Sequence, residues 1–252
     1  MALVPSYIKQ LESYKAGKSI DQARRELGLS SFIKMASNEN PIGPSPKALD
    51  AMRSVIDNMH YYPETSGFHL RNALAKKYNV KIENVILGAG SEGVISTIMR
   101  TFLLTDDEII SAKNSFIGFR ILANASGRRT HWVPMKVHRY DLDAIKNKIT
   151  DYTKIIYIAN PDNPMGTYIT REEFDDFYSH VPERCLIILD EAYYEFAKEK
   201  PDYPDSMTYR YDNVITLRTF SKAYGLAGAR IGYGLAHEDL IRNLIKVKVP
   251  FE

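Results

Sequence analysis

The sequence predicts an α/β protein in which helices cover a mostly parallel central sheet. Short apolar runs alternate with longer amphipathic segments from about residue 84 onward. These runs are apolar throughout, which is typical of strands that are buried on both faces. In this architecture ligands bind at the carboxyl ends of strands, so we look for candidate site residues directly after each run.

The apolar runs and the segments between them predict the elements in chain order. Strands are expected over 85–87, 108–111, 130–134, 155–159, 186–189, 214–217 and 230–235. Helices are expected over 47–57, 68–78, 91–104, 116–126, 141–148, 171–180 and 237–247. The segment 37–46 holds three prolines and one glycine, so an irregular loop is expected there.

Composition and charge exclude several classes of protein. The chain has 252 residues, of which 44% are hydrophobic and 25% charged, as in soluble globular proteins. Its net charge of +2 gives no reason to expect nucleic acid or an anionic membrane as partner. The chain lacks a signal-peptide pattern and an apolar run of about 18 residues, which predicts a soluble, cytoplasmic protein. The lone Cys185 excludes a disulfide framework or a multi-cysteine metal site, and we expect no metal.

A glycine-rich turn follows the first predicted strand. It reads Gly88-Ala-Gly-Ser-Glu-Gly93, and Ser91 is expected to cap the next helix, whose free N–H groups suit a phosphate. A plain glycine-rich turn explains the pattern about as well. A dinucleotide site would need an acidic residue at the end of the next strand, and Ser111-Ala-Lys113 offers none. A single phosphate is therefore the better interpretation.

Different polar groups follow the later strands. Asn163 lies between two prolines as a rigidly held amide, and Asp190 directly follows a buried run. Burying a carboxylate is costly, so we expect Asp190 to face a cationic partner. Lys222 has small and aromatic neighbours, where a lysine amine can become nucleophilic, and Arg230 is a candidate anion ligand. Each residue taken singly has a purely structural explanation, but their convergence on one crevice favours a functional site.

These motifs together resemble a known enzyme family. Asn163-Pro-Met-Gly166, Asp190-Glu-Ala-Tyr193, Ser221-Lys222 and Arg230 resemble the fold-type I, pyridoxal-phosphate-dependent aminotransferases of class I and II. The segments 36–46 and 218–233 narrow this resemblance to histidinol-phosphate aminotransferases and their nearest relatives. The resemblance runs from about residue 6 to the last residue, and it implies the three-layer large domain of that fold type. The lysine segment is highly specific, whereas the glycine-rich turn is not.

The resemblance implies a pyridoxal 5′-phosphate site with three catalytic residues, Lys222, Asp190 and Tyr193. Lys222 would bond the cofactor covalently and then carry the proton at the substrate carbon. Asp190 would pair with the protonated ring nitrogen, while Asn163 and Tyr193 would hydrogen-bond the phenolate oxygen of the ring.

The resemblance also assigns residues to the rest of the cofactor and to the substrate. Phe116 would stack on the ring, where the family usually has Tyr. Tyr62 would reach the cofactor of a partner subunit, which implies a homodimer, and Asn40 and Tyr14 would approach the substrate. The residues implied at the cofactor phosphate are Gly90, Ser91, Thr219, Ser221 and Arg230, and Glu92 is implied as a further cofactor-binding residue.

The implied reaction is transamination between L-histidinol phosphate and 2-oxoglutarate, which yields imidazole acetol phosphate and glutamate in histidine biosynthesis. Threonine-phosphate decarboxylases and aromatic aminotransferases share most of these motifs and stay open as alternatives. A non-catalytic domain that only binds pyridoxal phosphate is a further alternative, and a nicotinamide-binding domain is the weakest one.

The resemblance also predicts a domain organisation. Residues 1–30 would form an N-terminal arm, 31–236 the pyridoxal-phosphate-binding large domain, and 237–252 the start of a linker helix. In the family this helix leads to a C-terminal small domain that carries the arginines for the substrate. We therefore expect a chain of 252 residues to bind the cofactor but to turn over poorly, because substrate orientation would be lost.

Overall fold

The computed structural model describes residues 3–15, 17–28, 31, 33–209 and 211–252. The strands in this part of the chain are β1 (Val85–Ala89), β2 (Glu108–Ala112), β3 (Arg129–Val133), β4 (Thr153–Ala159), β5 (Leu186–Asp190), β6 (Val214–Thr219) and β7 (Ile231–Leu235). They form a seven-stranded sheet in the order β1-β7-β6-β5-β4-β2-β3.

Helices precede and connect these strands. They are α1 (Ser6–Lys9), α2 (Ile20–Leu27), α3 (Pro46–Ser54), α4 (Phe68–Tyr78), α5 (Gly90–Phe102), α6 (Ile117–Ala125), α7 (Leu142–Lys146), α8 (Arg171–Tyr178), α9 (Tyr194–Ala197) and α10 (Glu238–Val247). The start of α3 shows why the proline-rich loop ends there. Pro46 occupies the first turn, and the Ser45 side chain accepts a hydrogen bond from the backbone of Ala48.

The direction of β7 determines which strand ends lie together at one edge of the sheet. β7 runs antiparallel to both of its neighbours, β1 and β6, whereas β2 to β6 pair in parallel. The start of β7 therefore lies at the same edge as the carboxyl ends of β4, β5 and β6. The register places Ala159 opposite Asp190, and Thr219 opposite Gly232, which brings the candidate residues to this edge.

Both faces of the sheet are buried, as the uniformly apolar strands predict. On β4, Tyr157 packs into one core with Ile98 of α5 and Ile241 of α10. Its neighbour Ile156 packs into the opposite core with Phe174 of α8. This alternation produces three layers, and the predicted α/β class with a mostly parallel sheet is confirmed.

The observed elements agree with the predicted ones to within a few residues. The segment 37–45 is irregular and α3 already begins at Pro46, the last residue of the predicted loop. The predicted arm contains α1 and α2. Residues 1, 2, 16, 29 and 30 of that arm lie outside the described residues, as do 32 and 210 of the predicted large domain. The division at residues 30 and 236 stays a prediction. Within the described ranges no helix has both the length and the apolar character needed to cross a membrane.

Candidate active site

A cavity of about 380 Å³ opens at the edge of the sheet where β4, β5 and β6 end and β7 begins. Its walls contain most of the residues that the sequence predicts at a cofactor. These are Gly90, Ser91, Glu92, Phe116, Asn163, Asp190, Tyr193, Thr219, Ser221, Lys222 and Arg230. Residues that lie far apart in the sequence are thus brought together around one small-molecule-sized space.

Lys222 lies just beyond β6 and lines the cavity. Its Nζ atom donates a hydrogen bond to the backbone oxygen of Ser37 at 3.1 Å and lies 5.7 Å from the centre of the Tyr193 ring. Burial lowers the pKa of the Lys222 amine, and the negative charge of Asp190 opposes this shift. A lowered pKa increases the neutral fraction of the amine, which is the form that attacks a carbonyl carbon.

Asp190 is the last residue of β5 and is almost completely buried. Its Oδ2 atom accepts a hydrogen bond from the Tyr157 hydroxyl at 2.8 Å, and its Oδ1 atom accepts one from the Ala192 amide at 3.1 Å. Burial raises the pKa of Asp190 to about 6, although both hydrogen bonds act in the opposite direction. The expected cationic partner is not found, since no ion pair among the described residues includes Asp190. The carboxylate instead faces the cavity, where a cationic ligand atom would meet it.

The glycine-rich turn and Arg230 line the same part of the cavity. Arg230 Nη1 lies 3.4 Å from the Ser221 hydroxyl oxygen, and Nη2 lies 3.7 Å from a carboxylate oxygen of Glu92. The Thr219 hydroxyl donates to Ser221 Oγ at 2.9 Å. These hydroxyls, the guanidinium and the first N–H groups of α5 form a set of donors that suits a phosphate.

The prediction that Ser91 caps α5 is wrong. The helix begins at Gly90, the preceding Ala89 makes no side-chain cap, and Ser91 lies within the first turn. Gly90 has a φ of 72°, and its N–H donates to the backbone oxygen of Arg230 at 3.0 Å. This contact with the residue before β7 sets the start of the helix, and local sequence does not reveal it.

Tyr193 and Asn163 line another part of the cavity. The Tyr193 hydroxyl accepts a hydrogen bond from the Asn38 amide at 2.9 Å, and burial raises the pKa of Tyr193. The loop that carries Asn163 is held by its neighbour Asp162. One carboxylate oxygen of Asp162 accepts from the Ser115 hydroxyl at 2.6 Å and the other from the Met165 amide at 3.1 Å.

Three predicted residues do not line the cavity. Tyr62 is 80% exposed and stacks on Phe251, with ring centres 4.5 Å apart. Asn40 donates to the backbone oxygen of Ala223 at 2.9 Å, and Tyr14 is exposed. The roles expected for them at a partner's cofactor and at the substrate stay predictions.

The cavity also contains residues that the sequence reasoning missed, above all Tyr157, together with Ser37 and Glu39. Tyr157 lies inside an apolar strand, so its pattern indicates core packing alone. Its place beside Asp190 follows from the pairing of β4 with β5, which the sequence does not show.

The polar groups that line the cavity fit pyridoxal 5′-phosphate. The amine of Lys222 matches the aldehyde of that molecule, and the buried carboxylate of Asp190 matches its ring nitrogen. The amide of Asn163 matches the phenolate oxygen. The set of hydroxyl, guanidinium and N–H donors described above, here called the phosphate cradle, matches the phosphate. The phosphate cradle favours glycine at position 90, because its φ of 72° lies in the left-handed region that other residues rarely adopt.

Comparison with known proteins defines the class. Residues 30–251 match the family model of aminotransferase class I and II, and the chain belongs to this family.

The similarity extends to a particular group of these enzymes. The chain is 43% identical over its whole length to the histidinol-phosphate aminotransferase of Anaeromyxobacter sp. (strain Fw109-5) and spans 70% of that protein. It is 39% identical to histidinol-phosphate aminotransferase 2 of Carboxydothermus hydrogenoformans, of which it spans 69%. The histidinol-phosphate aminotransferase of Sinorhizobium meliloti in complex with pyridoxal-5′-phosphate superimposes with a TM-score of 0.87 at 30% identity. The superposition covers the whole of this chain and 67% of that one. The predicted resemblance is confirmed.

Proposed function

We propose that the cavity binds pyridoxal 5′-phosphate and that the protein transfers an amino group between L-histidinol phosphate and 2-oxoglutarate. One observation carries this proposal: Lys222, Asp190 and Arg230 line a single cavity in a chain that is 43% identical throughout to a histidinol-phosphate aminotransferase. The solved relative with a TM-score of 0.87 holds pyridoxal-5′-phosphate, which supports the choice of cofactor.

In this proposal Lys222 both binds the cofactor and moves a proton. Bound pyridoxal phosphate supplies an electron-accepting ring that stabilises negative charge at the substrate carbon. The Lys222 amine, whose pKa is lowered by burial, takes the proton from that carbon and returns it as the ammonium form.

The other cavity residues hold and orient the cofactor. Asp190 has a pKa of about 6, so its carboxylate is mostly ionised at pH 7 and attracts a protonated ring nitrogen. Asn163 and Tyr193 bind the phenolate oxygen, and Phe116 packs against the ring face. The phosphate is bound by the backbone N–H groups of Ser91 and Glu92 and by the side chains of Thr219, Ser221 and Arg230. Gly90 lines the same space, but its own N–H is already paired with the backbone oxygen of Arg230.

The proposal includes a homodimer in the cytoplasm. Tyr62 is highly exposed, which leaves its hydroxyl accessible to the cofactor of a partner subunit. Asn40 and Tyr14 are proposed to approach the substrate. The hydrogen bond from the Asn40 side-chain amide to the backbone oxygen of Ala223, the residue after Lys222, places its loop beside the cavity.

The first experiment tests covalent cofactor binding. Purified protein mixed with pyridoxal phosphate is expected to show the visible absorption band of the lysine-bound cofactor, and Lys222→Ala should lose it. Lys146→Ala is the matched control, because this lysine side chain is also poorly exposed but pairs with Asp143 and Asp176 away from the cavity. A band that survives in Lys222→Ala contradicts the proposal.

The second experiment separates the candidate reactions. The cofactor-loaded protein is mixed with L-histidinol phosphate, glutamate, an aromatic amino acid or threonine phosphate, each without an acceptor. Loss of the visible band with histidinol phosphate and glutamate supports the proposal. Release of carbon dioxide from threonine phosphate would indicate the decarboxylase, and no change with any compound would indicate a domain that only binds cofactor.

A further inference from the structure

Tyr157 is a tyrosine within the otherwise apolar strand β4, and its hydroxyl contacts Asp190. The residue is completely buried, and its ring stacks on Phe119 with centres 3.8 Å apart and planes 11° from parallel. The adjacent strand β5 ends at Asp190, whose Oδ2 atom lies 2.8 Å from the Tyr157 hydroxyl. Packing of the ring and pairing of the strands therefore fix this hydrogen bond from both sides.

The direction of the hydrogen bond follows from chemistry. Burial raises the pKa of Tyr157 well above its usual value, so the phenol stays protonated. Its O–H group is therefore the hydrogen-bond donor, and the Asp190 carboxylate is the acceptor. The second oxygen of Asp190 accepts from the Ala192 amide at 3.1 Å. With one donor on each oxygen, the plane of the carboxylate is set before any ligand enters.

We propose that Tyr157 is a positioning residue: its hydroxyl holds the Asp190 carboxylate in one orientation and keeps it anionic toward the ring nitrogen of the bound cofactor. The part of this inference that concerns the cofactor rests on the proposed function. The part that concerns the carboxylate rests on the geometry of β4 and β5 alone. A phenylalanine at position 157 would keep the stacking on Phe119 and would remove only the donor.

Other charged and titratable groups act on the same carboxylate. The positive charge of Lys222, from the segment after β6, favours the anion, and the negative charge of Glu92, from α5, disfavours it. The phenols that share its electrostatic environment are Tyr140, Tyr157 and Tyr193. Tyr157 differs from Tyr140 and Tyr193 in donating directly to Asp190, so its hydroxyl can be tested separately.

The first test needs no cofactor. The Asp190 carboxyl resonance of aspartate-labelled, cofactor-free protein is assigned by its absence in Asp190→Asn and is titrated in wild type and in Tyr157→Phe. Loss of a hydrogen bond to a charged group should raise the pKa of Asp190 by about one unit in Tyr157→Phe. Tyr233→Phe is the matched control, since Tyr233 is also buried but its hydroxyl contacts that of Tyr78. An equal pKa in wild type and Tyr157→Phe overturns the proposal.

A second measurement covers the case in which Tyr157→Phe does not fold. In wild-type protein labelled at the tyrosine Cζ atom, one resonance should move with the midpoint of the Asp190 titration and stop moving in Asp190→Asn. The absence of any such resonance overturns the proposal.

The third test uses the cofactor-loaded protein. In Tyr157→Phe the dissociation constant of pyridoxal phosphate should rise about tenfold, and Tyr233→Phe should leave it unchanged. In an Asp190→Asn background the same Tyr157→Phe change should have little effect, because no anion remains to be held. An unchanged dissociation constant in wild-type background overturns the cofactor part of the inference. Failure of the proposed function is distinguishable, since wild type would then form no visible band while the carboxyl titration still reports on Tyr157.

Discussion

At the scale of single residues, the Asp190 carboxyl group is almost completely buried, although its proposed role requires it to be ionised. Burial raises its pKa in the folded protein to about 6, whereas an unfolded aspartate has a pKa of about 3.9. Between these values the folded state binds more protons than the unfolded state. The free energy of unfolding therefore falls as the pH rises through this window.

Asp190→Asn should remove this dependence from the cofactor-free protein. Relative to wild type, the free energy of unfolding of the variant should gain about 2 kcal/mol between pH 4 and pH 7, as order-of-magnitude arithmetic from the two pKa values. Urea unfolding at several pH values measures the difference, with Asp151→Asn as a control at a fully exposed carboxyl. Parallel stability curves for wild type and Asp190→Asn would disprove the explanation.

The sequence predicts Lys222, Asp190 and Arg230 as site residues, because each lies at or near the beginning or end of a predicted strand. It could not predict the hydrogen bond from Tyr157, because a tyrosine inside an apolar run is indistinguishable from core packing. The helix cap predicted at Ser91 is wrong, because the start of α5 is set by the distant backbone of Arg230. Contacts between strands far apart in sequence leave no local pattern.

At the scale of elements, the close approach of β7 and α5 depends on Gly232. A Cβ atom at this position would collide with the backbone of Gly90 and Ser91. The predicted phosphate donors lie at this contact, so displacement of α5 changes both the packing and the cradle.

Gly232→Ala should therefore destabilise the protein by about 1–3 kcal/mol, the usual cost of overpacking, and should weaken binding of inorganic phosphate. Unfolding and phosphate titration measure the two effects. For the stability measurement Gly228→Ala is the control, because a Cβ atom there meets nothing within 4 Å. Equal losses of stability in the two variants would contradict the prediction.

The elements themselves were largely predictable. The apolar runs became strands that are mostly buried on both faces, except the partly exposed edge strand β3. The amphipathic segments between runs became the covering helices. The antiparallel direction of β7 was not predictable, since pairing partners are selected by tertiary packing and β7 has the same apolar pattern as the strands that pair in parallel.

At the scale of the whole molecule, a buried ion cluster joins three segments of the chain. Arg218 of β6 donates to Glu191 at 2.7 and 2.9 Å and to Asp205 at 2.9 Å. Its guanidinium also lies 3.4 Å from the centre of the Tyr194 ring. The cluster thus links β6, the turn after β5 and the segment that follows α9.

Arg218→Met should cost about 3–5 kcal/mol of stability, because the completely buried Glu191 would lose its positive partner. Arg53→Met is the control, since the Arg53–Asp50 pair is exposed and such pairs contribute at most about 1 kcal/mol. Urea unfolding of both variants provides the comparison. A loss as small for Arg218→Met as for Arg53→Met would show that the cluster does not hold the three segments together.

The position of β1 in the sheet has a consequence for how the chain acquires its structure. β1 pairs within the described sheet only with β7, and Val85 is aligned with Leu235. During synthesis the strand that leads into the glycine-rich turn must wait for β7 before it gains a hydrogen-bonded neighbour in the described sheet. Pairing between such distant segments is slow, so an apolar strand stays open to wrong partners while most of the chain emerges. The phosphate cradle is then among the last features to form. The segment around β1 is the one at which chaperone binding would prevent the most incorrect pairing.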